Sequence, residues 1–156
     1  MGTRRKAREY VMRALFAQEL SGSDPDHTVR TVIHPLKEEA GPDARAFAED
    51  LFEKALQHRT ELDRLISRHA TNWDLDRIAL IDKLLLRIAL AEFLYTEDIP
   101  PKVSIDEAIE IAKSYSTPDS SRFINGVLDA ALETLYDEGR IEKKGRGLIG
   151  TDSLPS

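Results

Sequence analysis

The chain has 156 residues, of which 41% are apolar and 32% charged, with a net charge of −6 and no cysteine. This length and balance suit one soluble globular domain with a sizeable core. Without cysteine there is no disulfide framework, thiolate catalysis or thiolate zinc site, and a net negative surface disfavours indiscriminate nucleic-acid binding.

The N-terminus, MGTRRKAREY, is basic but has no apolar segment after it, so no signal peptide is expected and the cytoplasm is the default compartment. Thr3 reads as the cap of a first helix running to about Leu20, with Gly22 as the residue that ends it. Ala7, Tyr10, Val11, Ala14 and Leu15 form its apolar stripe. Residues 1–13 carry Arg4, Arg5, Lys6, Arg8 and Arg13 against Glu9 alone, a local +4 that leaves −10 for the remainder. Arg4, Arg5 and Arg8 fall within an arc of about 100°, so the helix could pack on a core and still expose all three guanidinium groups.

Residues 21–26, SGSDPD, form a turn cluster. A short helix to about His34 follows, Pro35 interrupts it, and Gly41-Pro42 is a break. Phe47, Leu51, Ala55, Leu62, Leu65 and Ile66 keep helical spacing, which predicts one long helix bent near 57–60 with Glu49, Asp50 and Glu53 on its outer face. The stretch 76–95 is the most apolar in the chain. Between Ile78 and Tyr95 only Asp82, Lys83, Arg87 and Glu92 are charged, and no Gly or Pro interrupts. A helix apolar nearly all round is a buried one, and four charges make it a poor membrane span. It is therefore expected to be the central helix of a soluble helical protein, capped by Asp74 or Asp76.

After Ile99-Pro100-Pro101, Ser104-x-x-Glu107 has the form of a capping box, with Val103 and Ala108 as its hydrophobic staple, for a helix to about Tyr115. Thr117-Pro118-Asp119 restarts the chain with a cap and a proline at the first helical position. The last helix carries Phe123, Ile124, Val127, Leu128, Ala131 and Leu135, and Gly139 closes it. Residues 140–156 lack periodicity and read as a disordered tail, leaving 1–139 as the folded domain. No strand-like alternation occurs, so the fold class is all-α, a bundle of about seven helices around the buried helix 76–95.

Catalytic signatures are missing. Gly145 to Gly150 matches G-x-G-x-x-G as a string, without the strand before it or the helix after it that dinucleotide binding requires. His27, His34, His58 and His69 have no metal-ligand spacing, and no phosphate-binding loop or nucleophile elbow is present. No enzyme activity, cofactor or metal is expected.

Three features carry information about binding. Arginines at a helix N-terminus oppose the macrodipole, which prefers acidic residues there. Their presence points to a phosphate partner, against the alternative of a solvated helix face. In Phe123-Ile124-Asn125-Gly126, the glycine weakens a helix by up to about 1 kcal/mol, which reads either as close helix packing or as access for a ligand. On the second reading Phe123 and Asn125 offer an aromatic face and an amide to a single-stranded base. Asp82 is costly in so apolar a helix unless it is paired, either with a protein partner or with a cation of the same chain. Trp73 reads as a core or cap residue.

Together R-R-x-A-R-E (4–9) with A-L-F (14–16), N-W (72–73), D-R-I-x-x-I-D-x-x-L-L-R-I-A (76–89), I-P-P-K-V-S-I-D-E-A-I-E-I-A-K (99–113) and F-I-N-G-V-L-D (123–129) resemble the NusB family of bacterial antitermination factors. The resemblance spans about residues 3–136. It implies a helical fold of two packed subdomains, and a heterodimer with NusE, the small-subunit ribosomal protein. That heterodimer would bind boxA RNA in the RNA polymerase elongation complex with other Nus factors, notably on ribosomal RNA operons. On the family pattern Arg4, Arg5 and Arg8 match the RNA-binding start, with Lys6 among them, and Phe123 and Asn125 lie in the second part of the RNA surface; Asp82, as a charge in an apolar helix, and Glu92 are the candidates for the partner contact. Asp106 stands where the family often has Asn, and Ile124 where Val is common. The same fold precedes the catalytic domain of ribosomal RNA cytosine methyltransferases, so an RNA-binding domain of that type is the alternative, as is a helical module for a partner other than RNA.

Overall fold

The computed structural model describes residues 2–71 and 74–141. Among these, all regular structure is helical, in agreement with the absence of period-two patterning. The chain divides after His58 into two compact units.

In the first unit α1 (Gly2–Ser21) packs chiefly on α4 (Pro42–Gln57). Its buried residues Ala7, Val11, Ala14 and Leu15 are the expected stripe, and they meet a core that includes Ala44, Ala48, Leu51, Phe52 and Ala55. Small residues on both helices let the backbones approach closely. Thr3, expected as the cap, lies inside α1, which begins a residue earlier. Gly22, at φ +65°, closes the helix with its N–H donating to the Gln18 carbonyl at 3.0 Å.

The segment after the turn is more irregular than its sequence indicates. α2 (Pro25–Thr28), capped by the Asp24 side chain, runs into a widened π-type turn over Val29–Ile33, where the His34 N–H donates to the Val29 carbonyl at 2.9 Å. Pro35 supplies the reason, since it has no N–H and its ring would crowd the carbonyl one α-turn behind. α3 (Leu36–Ala40) then buries Leu36, and Gly41 breaks the chain before α4. The long helix expected over 43–66 is two helices, α4 and α5 (Arg59–His69), separated at His58, within the predicted bend.

In the second unit α6 (Leu80–Tyr95) is the core helix, packed against α5, α7 (Pro101–Tyr115) and α8 (Pro118–Asp137). It buries every residue from Leu84 to Phe93. It starts four residues later than expected. A short 3₁₀ turn, Leu75–Arg77, comes first, and extended backbone at Ile78 and Ala79 carries Ile78 into the core. Asp74 flanks that 3₁₀ turn without a side-chain hydrogen bond, and Asp76 lies within it, so neither caps α6.

Three charges of α6 are buried, each with its own solution. Arg87 makes a bidentate contact with Asp63 of α5, Nε to Oδ1 at 2.7 Å and Nη2 to Oδ2 at 3.1 Å. Glu92, fully buried, accepts a hydrogen bond from the Ser104 hydroxyl at 2.7 Å. Asp82 accepts from the Ser116 and Ser120 hydroxyls at 3.0 and 2.8 Å. Each of these hydrogen bonds offsets part of the desolvation of the buried group it reaches.

Ser104 is thereby removed from the role the sequence indicates. α7 already begins at Pro101, after extended Pro100, and Val103 is exposed, so neither the capping box nor the staple forms. The second predicted start is as expected: Thr117 caps α8 by accepting from the Ser120 N–H, with Pro118 at the first helical position. At the other end Gly139, at φ +69°, completes a Schellman closure, its N–H donating to the Tyr136 carbonyl and the Arg140 N–H to that of Leu135. Arg140 then pairs with Glu61 and Ile141 is buried, so the tail expected from residue 140 starts with two residues fastened to this unit. Asn72, Trp73 and residues 142–156, with the G-x-G-x-x-G string, lie outside the described residues.

The Glu61 carboxylate accepts from Tyr95 as well as from Arg140. Burial, reinforced by that bond and by the carboxylate charge, pushes the Tyr95 phenol up from 10.0 to about 12. Because the folded protein holds this proton more tightly than the unfolded chain, the contribution is complete below pH 10 and is lost as pH rises towards about 12. Unfolding followed across that window should show stability falling in the native protein and a shallower fall in Tyr95→Phe. Equal slopes would mean that the phenol does not stabilise the fold.

Candidate nucleic-acid interface

On the first unit, the opening turn of α1 has no acidic residue. Arg4 is exposed, Arg5 and Lys6 are half-buried, and Lys6 lies 3.7 Å from Glu39 of α3. Arg8 differs from the expectation of an exposed edge, being only 3% exposed. Phe47 of α4 is one of its neighbours: the Arg4 and Arg8 guanidinium carbons sit 4.1 and 5.3 Å from its ring centroid. Residues 4 and 8 are one helical turn apart and so reach the same ring. Arg13, further along, stands 5.0 Å above the Tyr10 ring. The α1 edge therefore presents a graded cationic surface, with Arg4 outermost. Phe47 read in the sequence as one more member of an apolar stripe; its place at the start of that stripe is the only signal that it borders the surface.

On the second unit, a cavity of about 270 Å³ opens between the start of α6 and the start of α8. Arg77, Ile78, Asp82, Asp119, Ser120 and Phe123 are among the residues that line it. Phe123 therefore offers a ring surface at an accessible hollow, with a cation, Arg77, also in its lining. Asn125 is exposed but does not line the cavity, because residues two apart in a helix point about 200° apart. The two side chains therefore do not form a contiguous surface. Gly126 is exposed, and a Cβ built there meets nothing within 4 Å, so close helix packing does not explain the glycine.

Asp82 and Glu92, expected at a partner surface, are 6% and 0% exposed. Their carboxylates accept from serine hydroxyls within the second unit, so for Asp82 hydroxyls stand where an Arg or Lys of the same chain was the alternative. Sequence reasoning could not see this because an acidic residue in an apolar helix signals only that a partner exists. Hydroxyls 12 to 38 residues away leave no local trace.

Among the described residues no cluster of His, Asp or Glu could hold a metal ion. His69 has a structural placement instead: Nδ1 donates to the Leu65 carbonyl at 2.9 Å, and Nε2 lies 2.9 Å from the Thr134 hydroxyl. Also among the described residues, no helix is long and apolar enough to cross a membrane.

An all-helical chain with a cationic helix edge on one unit and an aromatic-lined hollow on the other has the makings of a nucleic-acid-binding protein. The sequence model of the NusB family matches residues 5–133, and the chain belongs to that family. It is 51% identical over 155 residues to the transcription antitermination protein NusB of Salinibacter ruber, covering 99% of this chain and 96% of that one. Among solved structures, T. maritima NusB is 37% identical, with a TM-score of 0.76 over 83% of this chain and 90% of that chain. The structure of antitermination factors NusB and NusE in complex with dsRNA matches with 26% identity and a TM-score of 0.76, over 86% of this chain and 98% of that chain.

Proposed function

We propose that this chain is a non-catalytic transcription antitermination factor that, as a heterodimer with NusE, binds boxA RNA in the RNA polymerase elongation complex of the cytoplasm, chiefly on ribosomal RNA operons. The observation that carries the RNA reading is the cationic start of α1, where Arg4, Arg5 and Lys6 stand without an acidic residue in the first turn. Placing like charge at the positive end of a helix costs stability, and a phosphate partner turns the same arrangement to advantage. The net charge of −6 explains the need for a second protein, since most of the surface repels RNA. Arg77 and Phe123 at the second unit's cavity are proposed to receive a base, with Asn125 as a separate polar contact. The antitermination reading is favoured over the methyltransferase type because the Salinibacter relative is matched over 96% of its own length, leaving no room in that relative for a catalytic domain.

Salt titration tests the phosphate contacts. For single-stranded RNA the slope of log K against log salt changes by about 0.7 for each phosphate that a protein cation neutralises. Arg4→Ala/Arg5→Ala removes two such cations. It should therefore weaken RNA binding by the NusE heterodimer and flatten that slope by about 1.4, with thermal stability little changed. Wild-type affinity and slope in the double variant would reduce these arginines to a solvated helix face.

A further inference from the structure

We propose that Phe47 is a positioning residue for RNA recognition, its ring holding Arg4 and Arg8 of α1 in a fixed presentation. The inference rests on the RNA-binding reading and adds a residue that makes no contact with RNA itself. Both guanidinium carbons lie within the roughly 6 Å reach of a cation–π contact, at 4.1 and 5.3 Å from one ring centroid. Phe47 is half-buried, and its neighbours on α4, Ala44, Ala48 and Leu51, are locked in the core that α4 shares with α1. The ring is thus mounted on a rigid element.

Two consequences follow for binding. Guanidinium groups drawn together repel one another, and the negative face of one ring offsets this for both. A cation–π contact also uses none of a guanidinium's N–H donors, which stay available for the bidentate bonds of phosphate recognition. An exposed arginine otherwise loses rotamer freedom when it binds, which weakens association. Arg4, exposed yet held 4.1 Å from the ring centroid, has less of that freedom left to lose. Arg8, buried, is held at the same ring.

The test measures boxA RNA affinity of the full chain with NusE for the native protein, Phe47→Leu, Phe47→Tyr, Arg4→Ala and Arg4→Ala/Phe47→Leu. Phe47→Leu should weaken binding about two- to fivefold, the strength of an exposed cation–π contact, while leaving the salt slope unchanged because every phosphate-neutralising cation is still present. Phe47→Tyr keeps the aromatic face and should bind like the native protein, and the leucine effect should shrink in the Arg4→Ala background. Native affinity in Phe47→Leu, a tyrosine variant as weak as the leucine one, or an undiminished leucine effect without Arg4 would overturn the inference while the RNA reading stood. If the native heterodimer itself does not prefer boxA over scrambled RNA, both fall together.

Discussion

Leu85→Ala is expected to lower the free energy of unfolding by about 2–5 kcal/mol, through reduced transfer energy plus an incompletely collapsed cavity. Leu85 is fully buried in α6, and the helix is covered by α5, α7 and α8. Relaxation into the vacancy is restricted because neighbouring positions Leu84, Leu86 and Leu90 are equally enclosed. Urea unfolding of the variant reads the effect directly. A loss below about 1 kcal/mol, the ordinary cost of a substitution outside a core, would show that α6 is peripheral to its unit.

The second large effect belongs to Asp63. Arg87 is buried on α6, with its side chain 4% exposed, and its guanidinium is met by both oxygens of the Asp63 carboxylate of α5. Removing one partner of a buried pair typically costs about 3–5 kcal/mol because a charge is left in a poor environment. Asp63 is 18% exposed, so water can enter its place, and Asp63→Ala should fall at the lower end of that range. The double variant Asp63→Leu/Arg87→Met should recover much of the loss, since replacing the whole pair by apolar groups is often neutral. A single variant as stable as the native protein in urea unfolding would mean that the pair does not join α5 to α6.

The elements were legible in the sequence wherever local chemistry set them. The stripe of α1, the closing glycines at 22 and 139, the Thr117-Pro118 start of α8 and the apolar run of α6 all came out as expected. The failures share one cause. Ser104 carries the local signature of a cap, yet a buried carboxylate twelve residues earlier claims its hydroxyl, and the helix starts elsewhere. The hydroxyls that meet Asp82 and Glu92 were equally hidden, because these donors are distant in sequence. In the candidate interface the arginine cluster was legible as charge, but not its aromatic support, because Phe47 joins α1 only through the packing of α4. Likewise Arg77 entered the hollow beside Phe123 through the break at Ile78 and Ala79, which no local pattern announces.

An RNA-binding antitermination subunit completed by NusE should reveal itself in one affinity comparison at fixed salt. BoxA RNA and a scrambled RNA of the same length and composition are titrated with the chain, with and without NusE. Weak binding by the chain alone is expected, in keeping with its net charge of −6, and clearly tighter binding of boxA than of the scrambled RNA by the heterodimer. Equal affinity of the heterodimer for the two RNAs would contradict the antitermination reading.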